Sequence, residues 1–204
     1  SFSQWLSRCT QSHKKKHYRS VTLSLKSNHQ APGDATSEQM QYVADLADEY
    51  SFGEIRVSHE QNLILADVHE DNLYELWNKA KNLHLATPNI GLITDIICCP
   101  GGDFCSLANA KSIPIADSIQ QVFDDMDYLH DIGDIDLNIS GCMNACGHHH
   151  VGHIGILGVD KDGSEWYQVT LGGNQGNFAN IGKVIGPSFS ADEMPAVIRK
   201  IVDT

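Results

Sequence analysis

The fourteen residues SGCMNACGHHHVGH, at 140–153, carry two cysteines and four histidines: Cys142, Cys146, His148, His149, His150 and His153. Thiolate and imidazole are the ligands of a tetrahedral zinc ion, and the stretch read alone suits zinc. A second pair stands upstream at Cys99 and Cys105, as Cys-x5-Cys, and 36 residues separate it from the Cys-x3-Cys pair Cys142 and Cys146. Four thiolates are the number that a [4Fe–4S] cluster takes. The Cys-x2-Cys spacing of zinc ribbons and of bacterial ferredoxins is absent.

The chain has room for such a site. Its 204 residues, 41% of them hydrophobic, can build one or two cores. A formal net charge of −12 argues against nonspecific nucleic-acid binding, which needs Lys and Arg to neutralise phosphates. No apolar run approaches the length of a membrane span, and no apolar signal segment leads the chain. A soluble, cytoplasmic protein with neither nucleic acid nor membrane as partner is therefore expected. The basic cluster Arg8, Lys14, Lys15, Lys16 and Arg19 reads as a solvated leading segment. In a reducing compartment the clustered cysteines read as ligands rather than disulfides.

Elements must then position the four thiols. Residues 1–20 show no clean period and read as irregular. VTLSLK alternates as a strand with Val21, Leu23 and Leu25 on one face, and a loop follows over 27–35. Thr36 and Gln39 form a capping-box pattern that opens a helix over 37–50. EIRVSH and NLILADV read as two strands around a polar turn, and Leu73, Leu76, Trp77 and Ala80 mark a second helix. The order β-α-β-β-α is a compact α+β unit. In the second half, NIGLITDIICCP reads as a buried strand delivering Cys98 and Cys99 to its end. Ile119, Val122, Phe123, Met126 and Leu129 make one amphipathic helix from Ile115, and Ile135, Leu137 and Ile139 a strand that leads into SGCMNAC. HIGILGV and EWYQVTLGG flank the hairpin signal Asp162-Gly163, and a helix opened by Ser190 and Glu193, delayed or kinked by Pro195, closes the chain. Both cysteine pairs thus arrive at strand-to-helix turns, where unpaired N–H groups favour anionic sulfur. The boundary between the halves falls at LATPN, giving domains 1–88 and 89–204.

Cys-x5-Cys followed by Cys-x3-Cys at this separation resembles the siroheme-dependent sulfite and nitrite reductase hemoproteins. CCPGGDFCSLANAKS is similar to that family's first cluster loop, ISGCMNACGHHHVGHIGILG to its second, IRVSHEQNLILADV to its siroheme-facing stretch and WYQVTLGG to the strand after the second loop. CMNACGHHHVGHIGILGVDKDGSEWYQVTLGG is most like the bacterial assimilatory branch. The resemblance implies half of a duplicated ferredoxin-like domain followed by an α/β domain with the cofactor loops. It further implies that Cys99, Cys105, Cys142 and Cys146 hold a [4Fe–4S] cluster, with the Cys146 sulfur also bridging to siroheme iron as the catalytic link. Asn144 matches a family asparagine near the macrocycle; as a turn residue tolerant of left-handed backbone it has an equal claim. His59, Gln61 and Asn62 fall in the siroheme-facing stretch, and equally in a hairpin turn. Gly172 and Gly173, with Asn174, could cradle a carboxylate. Cys98 reads as a buried strand residue, and the histidines after Cys146, where the family commonly has arginine, are left between siroheme contact, proton relay and a sub-branch feature.

The family's chain is duplicated, and one half is visible here. The resemblance therefore implies the C-terminal portion of a longer reductase, inactive alone because the cationic residues that hold sulfite or nitrite lie in the N-terminal half. Ferredoxin or a flavoprotein is the implied electron donor, and an uncovered half domain is expected to self-associate. Two other readings use the same thiols: a zinc-binding structural module, and an iron–sulfur electron carrier without siroheme.

Overall fold

The computed structural model describes residues 1–28 and 30–204, so His29, in the loop expected over 27–35, lies outside the described residues. The chain divides into two compact units, 1–91 and 92–204.

The first unit opens with a helix where irregular chain is expected. Ser1 accepts from the Gln4 amide while Gln4 reaches back to the terminus, a capping box that starts α1 (Phe2–Cys9). Trp5 and Cys9 are the buried face of α1. Phe2, Trp5, Leu6 and Cys9 do recur at helical spacing, but only over about two turns before the polar run at 10–17, so residues 1–20 taken as one stretch show no period. Next come β1 (Thr10–Ser12), β2 (Tyr18–Leu23), α2 (Ser37–Tyr50), β3 (Arg56–Val57), β4 (Leu63–His69) and α3 (Leu73–Lys81). From β2 onward this is the expected β-α-β-β-α order. The strands form one antiparallel sheet ordered β1-β2-β4-β3. Thr36 and Gln39 make the expected reciprocal cap on α2. Val21, Leu23, Leu65, Val43, Leu46 and Leu76 meet in its core.

In the second unit, β5 (Ile97–Cys98) is much shorter than the strand expected over the whole of NIGLITDIICCP. A turn closed by the Asp95 amide on the Leu92 carbonyl, at 2.8 Å, precedes it, and the buried Leu92, Ile93 and Ile96 pack from turn backbone. The amphipathic stripe after Ile115 is two helices, not one: α4 (Ile113–Val122) and α5 (Met126–Ile132). Asp125 caps α5, accepting from the amides of Asp127 (3.0 Å) and Tyr128 (3.2 Å), and the chain leaves α4 at Phe123. The apolar spacing survives the break because Phe123 and Leu129 enter the same core.

Strand β6 (Leu137–Ser140) is buried at every residue. It pairs parallel with β5 and β7 (Ile154–Lys161). Antiparallel pairing continues to β8 (Ser164–Leu171) and to β9 (Lys183–Phe189), a strand that goes unread in the sequence because Gly186 and Pro187 interrupt it. Asp162 and Gly163 both take positive φ in the two-residue turn of the β7–β8 hairpin. Glu193 accepts from the amide and hydroxyl of Ser190 at 2.8 Å each, and those bonds hold its carboxyl below its usual pKa. This clasp precedes α6 (Met194–Val202), whose first turn contains Pro195; the proline opens the helix rather than kinking it.

Candidate functional site

The four cysteines lie in the second unit, on two loops that leave neighbouring parallel strands. Register places Cys98 opposite Ile139, and the Cys99 amide donates to the Ile139 carbonyl at 3.1 Å. One residue beyond the β6 end, the Gly141 amide donates to the Cys99 sulfur at 3.1 Å. The Gly141 carbonyl in turn accepts from the amides of Asn109 (2.9 Å) and Ala110 (3.1 Å), on the chain returning from the first loop. A side chain at Gly141 would meet the Ala110 carbonyl at 2.6 Å and the Gly101 Cα at 2.9 Å, so only glycine allows the two loops this approach.

Each loop is also closed upon itself. In the first, Cys105 donates through its amide to Gly101 at 2.9 Å, and Gly102 to Ala110 at 3.0 Å. Tyr167, buried on β8, donates its hydroxyl to the Lys111 carbonyl (2.9 Å) and to Glu165 (3.2 Å). Burial and the Glu165 charge push its pKa well above the usual phenol value, so it stays a donor. In the second loop the Ser140 hydroxyl accepts from the Gly147 amide at 3.1 Å, which folds residues 141–146 out as a tight excursion. Cys99 and Cys142 are buried, Cys105 is half-buried and Cys146 is exposed; all four are free thiols. Both loops continue into short 3-10 turns, at 101–103 and 149–151, rather than into the helices expected, so the amide that reaches a cysteine sulfur comes from Gly141 and not from a helix N-terminus.

The histidines are deployed otherwise than as a ligand set. His153 accepts at Nδ1 from the Asp136 amide at 3.0 Å, which fastens the start of β7 to the chain before β6. His148 has a left-handed backbone, and its carbonyl takes the Asn138 side-chain amide at 3.2 Å. His149 is buried with Nδ1 unpartnered; burial first, and His150 beside it, lower its pKa. Among the described residues no three His, Cys, Asp or Glu side chains gather to hold a single metal ion. The donor set of four free thiols on two interlocked loops fits a [4Fe–4S] cluster, which spreads its four ligands over four irons.

The remaining expected site residues divide. Asn144 is exposed in the second loop, and the left-handed position there is taken by its neighbour Ala145, so tolerance of that backbone does not account for the asparagine. Gly172 takes positive φ beyond β8. Gly173 is buried against the backbone of His150, Val151 and Gly152 and works as a close-packing position, and Asn174 bridges to Asn180. His59, Gln61 and Asn62 belong to the first unit, in the turn between β3 and β4. His59 is exposed beside Glu60, Gln61 has positive φ, and buried Asn62 accepts the Leu25 amide at 3.0 Å. Gly141, Ser112 and Tyr167, which organise the cysteine loops, carry no signal in the sequence, where they read as loop and strand residues.

Residues 11–83 match the family model for the nitrite/sulfite reductase ferredoxin-like half domain, and residues 92–204 match the nitrite and sulphite reductase 4Fe-4S domain. The chain belongs to the nitrite and sulfite reductase family. Members of this family use a [4Fe–4S] cluster and siroheme. Relatives of this chain include the ferredoxin–nitrite reductase of Synechococcus elongatus, 29% identical over 85% of this chain and 34% of its own length. Another is the assimilatory-type sulfite reductase of Nitratidesulfovibrio vulgaris, 23% identical over 84% of this chain and 75% of its own length. The solved structure of Mycobacterium tuberculosis NirA shares the fold, with a TM-score of 0.75 at 24% identity over 95% of this chain and 37% of that one. The chain spans about a third of the length of the ferredoxin-dependent nitrite reductases that it matches. Among the described residues no helix is long and apolar enough to cross a membrane.

Proposed function

We propose that the second unit is the cofactor-holding part of an assimilatory sulfite or nitrite reductase, with Cys99, Cys105, Cys142 and Cys146 ligating the [4Fe–4S] cluster and the Cys146 sulfur linking it to siroheme. The observation that carries this is the interlock of the two cysteine loops through Gly141 and Cys99, inside the segment that matches the family's 4Fe–4S domain. When bound, the two groups supply the successive one-electron transfers of a six-electron reduction, of sulfite to sulfide or nitrite to ammonia. The chain's own contribution is positional. Gly141 and Ser112 hold the buried thiol of Cys99, Cys142 is itself buried, and the Ser140–Gly147 closure presents Cys146 outward, the cysteine whose exposure suits a link to a second group. Asn144, exposed two residues before it, would be free to donate to the macrocycle, whereas Gly173 is occupied by packing.

Anion capture needs cations that the cofactor-holding unit has in short supply. Its only Lys and Arg are Lys111, Lys161, Lys183, Arg199 and Lys200. Lys111 faces Asp103 at 3.7 Å, and Arg199 is paired with Asp203. The anion is therefore held from outside this unit; in our reading residues of the reductase's N-terminal half hold sulfite or nitrite, with ferredoxin or a flavoprotein as donor, and this chain alone turns over neither anion. The β3 edge, with Val57 exposed, is the surface through which unit 1 would self-associate in the absence of that half.

Iron, acid-labile sulfide and absorption of the purified chain test the reading. Four irons with sulfide and siroheme bands support it; cluster absorption without macrocycle bands leaves an electron carrier, and stoichiometric zinc without colour sinks it. Reduction of either anion by the isolated chain with a low-potential donor would overturn the requirement for a second half.

A further inference from the structure

Ser112 stands at the N-cap of α4, a position where a serine hydroxyl ordinarily accepts from the amides of the first helical turn. It makes no such bond. The residue is fully buried, and its hydroxyl lies 3.5 Å from the Cys99 sulfur, its hydrogen-bond partner among the described residues. The space around it is made by both loops at once: a side chain at Gly101 would strike its hydroxyl at 2.6 Å, and one at Gly141 at 3.0 Å. A capping hydroxyl has thus been turned from its helix to the sulfur that Gly141 already contacts at 3.1 Å.

We propose that Ser112 is a positioning residue that sets the reduction potential of the cluster held by Cys99. The inference rests on the four-thiolate reading above. Between a hydroxyl and an iron-bound thiolate only the hydroxyl has a proton to give, so the bond runs from Ser112 to sulfur. Reduction adds negative charge to the cluster and its thiolates, and a donor aimed at that charge stabilises the reduced form more than the oxidised one. Ser112 therefore raises the potential, making the cluster an easier acceptor from its donor.

The experiment is a redox titration of the cluster, followed by its electron-paramagnetic-resonance signal, in the wild-type chain, in Ser112→Ala and in Ser112→Thr. The alanine variant removes one buried oxygen and adds no clash; it is expected to retain its cluster and to titrate at a more negative potential, with threonine restoring the value toward wild type. An alanine variant with unchanged potential overturns the proposal, as does an equal fall in both variants, which would mark a packing effect. A wild-type chain that holds a cluster beside an alanine variant that holds none also overturns it, in favour of an assembly role. A wild-type chain that holds no cluster brings down the four-thiolate reading as well, which separates the two failures.

Discussion

The Gly141 amide donates to the sulfur of Cys99 across 3.1 Å, and this bond joins the two cysteine loops. Gly141 can do so because it has no side chain to meet the Ala110 carbonyl or the Gly101 Cα. Gly141→Ala is expected to destabilise the metal-free chain by about 1–3 kcal/mol, the range for forcing extra volume into a packed site. Denaturant unfolding of the metal-free variant, with its iron content measured in parallel, checks this. A variant as stable as wild type and equally loaded with iron would mean that the loops can part without cost.

Cys98 and Cys99 are adjacent and both buried, yet they are expected to respond oppositely to substitution. Cys98 packs in the core with Ile139 and Ile156, while Cys99 faces Ser112 and Gly141. Cys98→Ala should cost about 1 kcal/mol of stability, as loss of a small buried group does, and leave iron content unchanged. Cys99→Ala should abolish cluster absorption, as should replacement of Cys105, Cys142 or Cys146. Iron and acid-labile sulfide per chain decide it; a Cys98 variant without iron and a Cys99 variant with it would reverse the assignment.

His149 gives the second unit an acid limb. Burial and the neighbouring His150 ring, 5.1 Å away between centroids, depress its folded pKa below the usual 6.5. The unfolded chain then binds the proton first, so stability is greatest above pH 6.5 and falls as pH drops from there toward the folded value. His149→Gln should flatten that decline. Hydrogen-exchange protection of β6 and β7 amides, measured across this window in the metal-free chain, is the appropriate probe because the chain's two units need not unfold together. Equal pH dependence in both proteins would remove His149 as its source.

The two cysteine pairs stand out in the sequence because ligand chemistry constrains residue type and spacing, and helix α2 was legible because its cap and apolar period agree. What escaped was set by tertiary contact. One stripe of apolar residues reads as one helix, but Asp125 caps a second and splits it. β9 carries Gly186 and Pro187 and exists because β8 offers an edge to pair with. The histidines advertise zinc, and only the folded chain shows His153 spent on the Asp136 amide. Ser112 resembles any residue ahead of a helix until its missing cap bond is seen beside Cys99.

The turn between β3 and β4 separates a structural asparagine from an available histidine. Asn62 is buried and accepts the Leu25 amide, tying the turn to the chain after β2; Lys26, also buried, donates to the Glu60 carbonyl at 2.7 Å and fixes the same turn from below. Asn62→Ala leaves the Leu25 amide without that acceptor and should destabilise the first unit by about 1–3 kcal/mol whether or not siroheme is bound. His59 has its side chain 92% exposed and pairs with Glu60, an arrangement worth about 0–1 kcal/mol at a surface. His59→Ala should therefore leave unfolding of the cofactor-free chain unchanged. If His59 contacts a siroheme carboxylate in the complete reductase, the same variant will lower siroheme content there while stability stays put. Siroheme content equal to wild type would leave His59 without a role in holding siroheme.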